Sequence, residues 1–209
     1  MSDDENLDRA YALSTPAANR ALYADWASDY DRQFADKRGY QLPALVAEAF
    51  ARAGGQGPVL DIGAGTGLVA QELTERGISP VDGMDISPEM LAVAEEKRLY
   101  RRTLIGDITG HLEMGEGIYN GVVSAGTFTL GHVGPAALSE AVRIGAPGAL
   151  YVLSINAEHW RNAGFAAKFA ALEGTIENFS LAEVPIYTRD ETSAHAADKG
   201  LIAIFNKMG

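Results

Sequence analysis

Apolar positions along this chain follow two rhythms. Over residues 17–31 Leu22, Trp26 and Tyr30 recur every fourth position, the period of a helix with one buried face. Leu45, Val46, Ala49 and Phe50 make a second helical stripe over 42–53, stopped by Gly54-Gly55. After Pro58 short apolar runs take over. Residues 59–62 read as a buried strand, and 80–86, 103–105, 118–125 and 149–155 as further strands. Helical stretches separate them: 67–76, a helix opened by Ser87 as N-cap with Pro88 at its first position, 135–146 and 159–172. Pro147-Gly148 predicts the turn into the fifth strand. This alternation predicts parallel strands joined by right-handed crossovers. Residues 175–187 and 201–205 break the pattern and predict an antiparallel hairpin at one sheet edge. The expected architecture is α/β. It is a seven-stranded mixed sheet, five parallel strands plus the hairpin, with helices on both faces and an N-terminal helical lid over residues 1–56.

The ends of these strands carry the candidate chemistry. Residues 59–68 read Val-Leu-Asp-Ile-Gly-Ala-Gly-Thr-Gly-Leu. Glycines there let the chain turn sharply from strand to helix and let a ligand approach the main chain. The new helix offers free N–H groups to an anionic group. Gly63, Gly65 and Gly67 are spaced G-x-G-x-G, whereas a dinucleotide fingerprint is G-x-G-x-x-G. Asp61 stands two residues before the first glycine. Asp85 ends the next strand, 18 residues after Gly67, where a carboxylate can accept hydrogen bonds from a ribose diol. Gly106-Asp107-Ile108 ends the third strand. Asp107 is placed to meet an adenine amino group, with Ile86 and Ile108 packing on the ring. Ser124-Ala125-Gly126-Thr127-Phe128 ends the fourth strand in small residues, where bulk would block a ligand.

These segments together resemble the class I S-adenosylmethionine-dependent methyltransferases. The family's first motif, an acid two residues before G-x-G-x-G, matches from Asp61 to Gly67. Its ribose acid matches Asp85 and its adenine-contacting acid matches Asp107. Pro147-Gly148-Ala149-Leu150 matches the turn before its fifth strand, with Ala149 where a second glycine is commoner. Tyr23 to Asp31 looks like the helical lid of small-molecule members. More narrowly, Tyr11-Ala12-Leu13 through Asp31, residues 124–128 and residues 154–160 look like the Williams-Beuren-region methyltransferase-like proteins. The resemblance implies a Rossmann-like fold, with residues 57–209 as the S-adenosylmethionine-binding methyltransferase domain. It implies S-adenosyl-L-methionine as cofactor and S-adenosyl-L-homocysteine as product. The cofactor-binding set is then Tyr30, Asp61, Gly63, Ala64, Gly65, Thr66, Gly67, Asp85, Ile86, Met90, Gly106, Asp107, Ile108, Ser124 and Ala125. Acceptor-side candidates are Tyr23, Trp26, Thr127, Phe128, His159 and Trp160, with His132 as candidate catalytic residue.

Composition narrows the acceptor. The chain has 209 residues with Lys+Arg 17 and Asp+Glu 28, a net charge of −11. Its densest basic cluster is Lys97, Arg98, Arg101 and Arg102, most simply a solvated helix end. A polyphosphate or an anionic membrane surface is therefore an unfavourable partner. There is no cysteine, which removes disulfides, thiolate metal sites and the nucleophile that cytosine C5 methylation needs. The four histidines show no metal-ligand spacing, so no metal is expected. The Asn/Asp-Pro-Pro-aromatic motif of base-directed amino methyltransferases is absent from the fourth strand's end. The expected acceptor is a small molecule, with a protein acceptor still open. The acidic start predicts no targeting peptide, and the expected location is cytoplasmic.

Plainer readings stand beside these. The glycines can make a tight turn and nothing more, although Asp61, Asp85 and Asp107 fall on consecutive strand ends. Asp61 can cap backbone. Trp26 and Tyr30 can be ordinary helix packing, His132 a loop histidine, His159 a first-turn residue and His195 a solvated one. A nicotinamide-dependent oxidoreductase fits the strand–glycine–helix topology taken alone. A non-catalytic S-adenosylmethionine-binding module fits the fold without turnover.

Overall fold

The computed structural model describes residues 15–27, 30, 31, 35, 38–188, 195 and 197–209, without the side chains of Pro16, Asp25 and Trp26. Seven strands form one sheet: β1 (Val59–Ile62), β2 (Val81–Asp85), β3 (Arg102–Ile105), β4 (Tyr119–Phe128), β5 (Gly145–Asn156), β6 (Ile176–Pro185) and β7 (Lys199–Lys207). Their spatial order is β3-β2-β1-β4-β5-β7-β6. β1 to β5 pair in parallel, and β7 lies antiparallel between β5 and β6. The expected mixed sheet is the observed one.

Side chains alternate across each strand, so each face has its own core. Leu60, Ile62, Val122, Tyr151 and Leu153 share one cluster with Leu138 of α5 (Leu138–Ile144) and Phe165 and Phe169 of α7 (Phe165–Ala171). Val59, Val81, Val123 and Val152 share the other with Val46 and Phe50 of α2 (Leu42–Arg52) and Leu73 of α3 (Leu68–Glu75). Helix α1 (Pro16–Trp26) is capped by Thr15, whose Oγ1 accepts the Ala18 N–H at 3.2 Å, and it packs against α4 (Pro88–Glu96). Ser87 caps α4 as expected, accepting the Met90 N–H at 3.2 Å. No helix among the described residues is long and apolar enough to cross a membrane.

Several boundaries differ from the expectations. The helix expected over 17–31 ends at Trp26; Tyr30 and Asp31 lie beyond it, and residues 28, 29 and 32–34 fall outside the described residues. The buried stripe of α2 is Leu42, Pro43, Val46, Ala47 and Phe50, with Leu45 and Ala49 only partly buried. β4 runs on to Phe128, which pairs with Ile155 across an irregularity. Pro147-Gly148 lies inside β5 as a bulge: Gly145 still pairs with Tyr119, and Gly148 takes φ +79° while pairing resumes at Leu150. The helix expected over 159–172 is two. Asn156 opens α6 (Ala157–Ala163) by accepting the N–H groups of Glu158 and His159, and Gly164 at φ +86° separates it from α7. The helix expected over 135–146 is a 3₁₀ turn (Pro135–Ala137) followed by α5.

Candidate active site

Strand order reverses between β1 and β4, and a cleft opens at their carboxyl ends, the place where open α/β sheets bind ligands. The turn from β1 to α3 forms its floor. Gly63, Gly65 and Gly67 take φ +69°, +52° and +91°, a region that L side chains rarely enter. The N–H groups of Gly63 and Ala64 both donate to the Met84 carbonyl at 2.8 and 2.9 Å, which locks the turn onto β2. A Cβ added at Gly63 would sit 1.9 Å from Thr127 Oγ1, so the turn is packed there. At Gly65 it would meet only Met90 Cε at 3.5 Å, so the turn is open where Gly65 lines the cleft.

Asp85 stands beside that opening. Its Oδ2 accepts the Gly65 N–H at 2.8 Å and its Oδ1 accepts the Ser87 N–H at 2.9 Å. Each oxygen keeps a lone pair for a ligand hydroxyl. Burial raises its carboxyl above the ordinary value, and the N–H groups of Ser87, Gly65 and Ile86 pull it back. Ile86, Met90, Gly106, Asp107 and Ile108 line the same cleft. Asp107 Oδ1 accepts the N–H and hydroxyl of Thr109 at 2.9 and 2.6 Å, which fixes the carboxylate at the rim.

The cleft also has an aromatic wall. Tyr23 of α1, Tyr30, Tyr40 and Tyr187 line the cleft with His132 and Asn19. The Tyr23 ring lies 6.2 Å from that of Tyr30 and 5.6 Å from His132, and Tyr40 lies 5.9 Å from Tyr187. Burial holds the hydroxyls of Tyr23, Tyr30 and Tyr40 above the usual tyrosine range, so they stay protonated near neutrality. His132 Nδ1 lies 2.8 Å from the Leu130 carbonyl, which only accepts, so Nδ1 carries a proton. Burial lowers the His132 pKa, favouring the neutral ring. Its Nε2, 3.1 Å from Tyr23 Oη, is then the acceptor.

Not every predicted residue reaches the cleft. Asp61 shares the sheet face of Val59 rather than pointing along the strand, and it is fully buried behind the turn, where Tyr100 Oη donates to its Oδ2 at 2.6 Å. Its Oδ1 has no partner among the described residues. Burial first, then Asp85, pushes its carboxyl up to about 7, against the pull of Tyr100. Ser124 is buried and donates to the Ile62 carbonyl at 2.7 Å, and Gly67 packs on the Tyr100 ring. Thr127, Ala125 and Phe128 do line the cleft, Thr127 donating to the Ile62 carbonyl at 3.0 Å. His159 and Trp160 do not. His159 Nε2 lies 3.0 Å from the Val133 carbonyl, and Trp160 stacks among Phe165, Phe169 and Phe179. His195 pairs with Asp198 at 3.1 Å. The Trp26 side chain and Tyr11 to Leu13 lie outside the described residues. Asn19, Tyr40 and Tyr187 line the cleft without having been singled out, and so do Ser154 and Asn156 of the 154–160 segment, which carried the resemblance but were not site candidates. Asn19 Nδ2 donates to the Gly131 carbonyl at 3.1 Å, 112 positions away, which no local pattern reveals.

Residues 59–148 match a family model described as a methyltransferase domain. The human methyltransferase-like protein 27 is 30% identical over 178 residues, covering 83% of this chain and 70% of its own. An Arabidopsis thaliana 18S rRNA (guanine-N(7))-methyltransferase, RID2, is 39% identical over 66 residues, which is 32% of this chain and 22% of its own. Among solved structures, the N-methyltransferase NodS of Bradyrhizobium japonicum, in complex with S-adenosyl-L-homocysteine, superposes with a TM-score of 0.66 at 16% identity. That alignment covers 90% of this chain and 97% of the other, and the likeness shows the fold alone. These relatives do not favour the nicotinamide oxidoreductase. The open turn at Gly65 and the spare acceptor capacity of Asp85 fit a nucleoside cofactor held against the main chain. The relatives and the seven-stranded sheet place this chain among the class I S-adenosylmethionine-dependent methyltransferases, to which it belongs.

Proposed function

We propose that the enzyme methylates a small molecule, and that it is of the Williams-Beuren-region methyltransferase-like type. In this reading Gly63 to Thr66 and Met90 bear against the cofactor. Asp85 takes the ribose hydroxyls, Ile86 and Ile108 hold the adenine faces, Asp107 accepts from its amino group and Tyr30 meets the methionine end. Asp61 acts from behind the turn, and Gly67 and Ser124 shape it through backbone contacts. S-adenosylmethionine supplies, when bound, an electrophilic methyl group on a sulfonium. The chain's own task is to hold a nucleophile in line at near-attack distance and to exclude water. Tyr23, Thr127 and Phe128 position the acceptor. His132 Nε2 receives a proton, through Tyr23, from an acceptor that must lose one.

The observation that supports a small acceptor is the aromatic wall. Tyr23, Tyr30, Tyr40, Tyr187 and His132 face the same cleft as the glycine turn, leaving a space for a compact molecule rather than a flat track for a polymer. The net charge of −11 argues the same way against RNA. The test is methyl-labelled S-adenosylmethionine incubated with cell extract separated into small-molecule, RNA and protein fractions. Label is expected in the small-molecule fraction, and label confined to RNA or protein refutes the proposal.

A further inference from the structure

We propose that Asp31 is a positioning residue for the cofactor, a clasp that ties the aromatic wall to the glycine turn. Asp31 directly follows Tyr30, a lining residue of the cleft. Its Oδ1 accepts from Thr66 Oγ1 at 2.5 Å, and its Oδ2 accepts from Lys97 Nζ at 2.5 Å. Thr66 sits between Gly65 and Gly67 and also lines the cleft, while Lys97 caps the C-terminus of α4. One carboxylate thus joins three segments that lie 35 and 66 positions apart in the chain.

Two physical consequences follow. The first is directional: Thr66 has one hydroxyl proton, and Asp31 holds it, so the middle of the glycine turn has a fixed orientation before any ligand arrives. The second is electrostatic. The Asp31 and Lys97 side chains are 34% and 24% exposed, so their attraction is strong enough to hold the clasp and open enough for salt to weaken it. The Thr66 bond ties the segment of Tyr30 to the glycine turn, and the ion pair with Lys97, which salt weakens, fixes the carboxylate that makes that bond. The cofactor's residence time then depends on a residue that need not touch it. This inference rests on the reading that the glycine turn binds the cofactor.

The test uses the full chain and S-adenosylhomocysteine, with association and dissociation rates measured at low and high salt. Asp31→Ala removes both bonds and is expected to speed dissociation roughly tenfold, the scale of a hydrogen bond to a charged group. Lys97→Met keeps the Thr66 bond, so it is expected to raise the rate less and to abolish the salt dependence seen in the native protein. Asp31→Asn, which can still accept from Thr66, is expected to resemble Lys97→Met. Combining Asp31→Ala with Lys97→Met is expected to add nothing to Asp31→Ala, which a general loss of packing would not reproduce. An unchanged dissociation rate in folded Asp31→Ala overturns the proposal. So does a salt dependence that survives Lys97→Met, which also decides the matter if Asp31→Ala fails to fold. A native protein that does not bind S-adenosylhomocysteine overturns the cofactor reading itself.

Discussion

Replacing Asp61 with asparagine is expected to stabilise the protein at neutral and alkaline pH. The carboxyl is fully buried, has one oxygen without a partner among the described residues, and is pushed up to about 7 from an ordinary 3.8. The folded state therefore binds this proton more tightly than the unfolded state does. The contribution of Asp61 to stability must fall as pH rises from about 4 to about 7, and the loss is complete above 7. Roughly 3 pH units at about 1.4 kcal/mol each amount to about 4 kcal/mol in full. Between pH 5 and pH 8 the share is about 2–3 kcal/mol, because the unfolded carboxyl is already largely ionised at pH 5. Asparagine keeps an oxygen for Tyr100 Oη and carries no charge at any pH. The assay is denaturant unfolding of both proteins at pH 5 and pH 8. The difference between them at pH 8 minus that at pH 5 isolates position 61, since other groups titrate in both. A gain for Asp61→Asn of about 2–3 kcal/mol is expected. A difference that does not move with pH would refute the claim that burial neutralises this acid.

Other outcomes are expected at the same site. Asp85→Ala weakens S-adenosylhomocysteine binding by about 1–3 kcal/mol, roughly fivefold to 150-fold in Kd by calorimetry, through loss of the proposed ribose hydrogen bonds and of the anchor for Gly65. Gly65→Val abolishes that binding, because a β-branched side chain is strained at φ +52° and fills the open face of the turn; a native titration curve would remove the turn from the site. Tyr100→Phe strips Asp61 of its one hydrogen-bond donor among the described residues and costs about 1–3 kcal/mol at pH 8, but much less at pH 5, where Asp61 holds its own proton. Thermal or denaturant unfolding of Tyr100→Phe at the two pH values distinguishes this from a simple packing loss.

The parts of the fold legible in the sequence are those set by period and by local caps. Val59–Ile62 ends in glycines and Ser87-Pro88 announces a helix, and both elements begin where the pattern places them. What the pattern missed is decided elsewhere in the chain. Gly145 continues β5 because Tyr119 offers it a partner, so the Pro147-Gly148 turn becomes a bulge within the strand. Gly164 interrupts an apolar helical run that looks continuous, since φ +86° is open to glycine, and Phe165 just after the break meets Phe128 edge to face. The site shows the same division. Asp85 and Asp107 lie where strand ends put them, but Asp61 obeys the two-residue alternation of β1 and turns to Tyr100. Asn19, Tyr40 and Tyr187 come to the cleft through contacts across the whole chain, for which spacing holds no signal.

The Tyr100 ring has a consequence for how this sequence can diverge. It fills the room that a side chain would need at Gly83, where a Cβ would lie 2.8 Å from the ring, and it packs against Gly67, where a Cβ would lie 3.4 Å from it. Its hydroxyl meanwhile answers to Asp61. Substitutions at positions 61, 67, 83 and 100 are therefore expected to depend on one another. A relative with a small apolar residue at 100 is expected to carry a bulkier one at 83 and to have lost its need for an acid at 61, a correlation that aligned descendants of the same ancestor would expose.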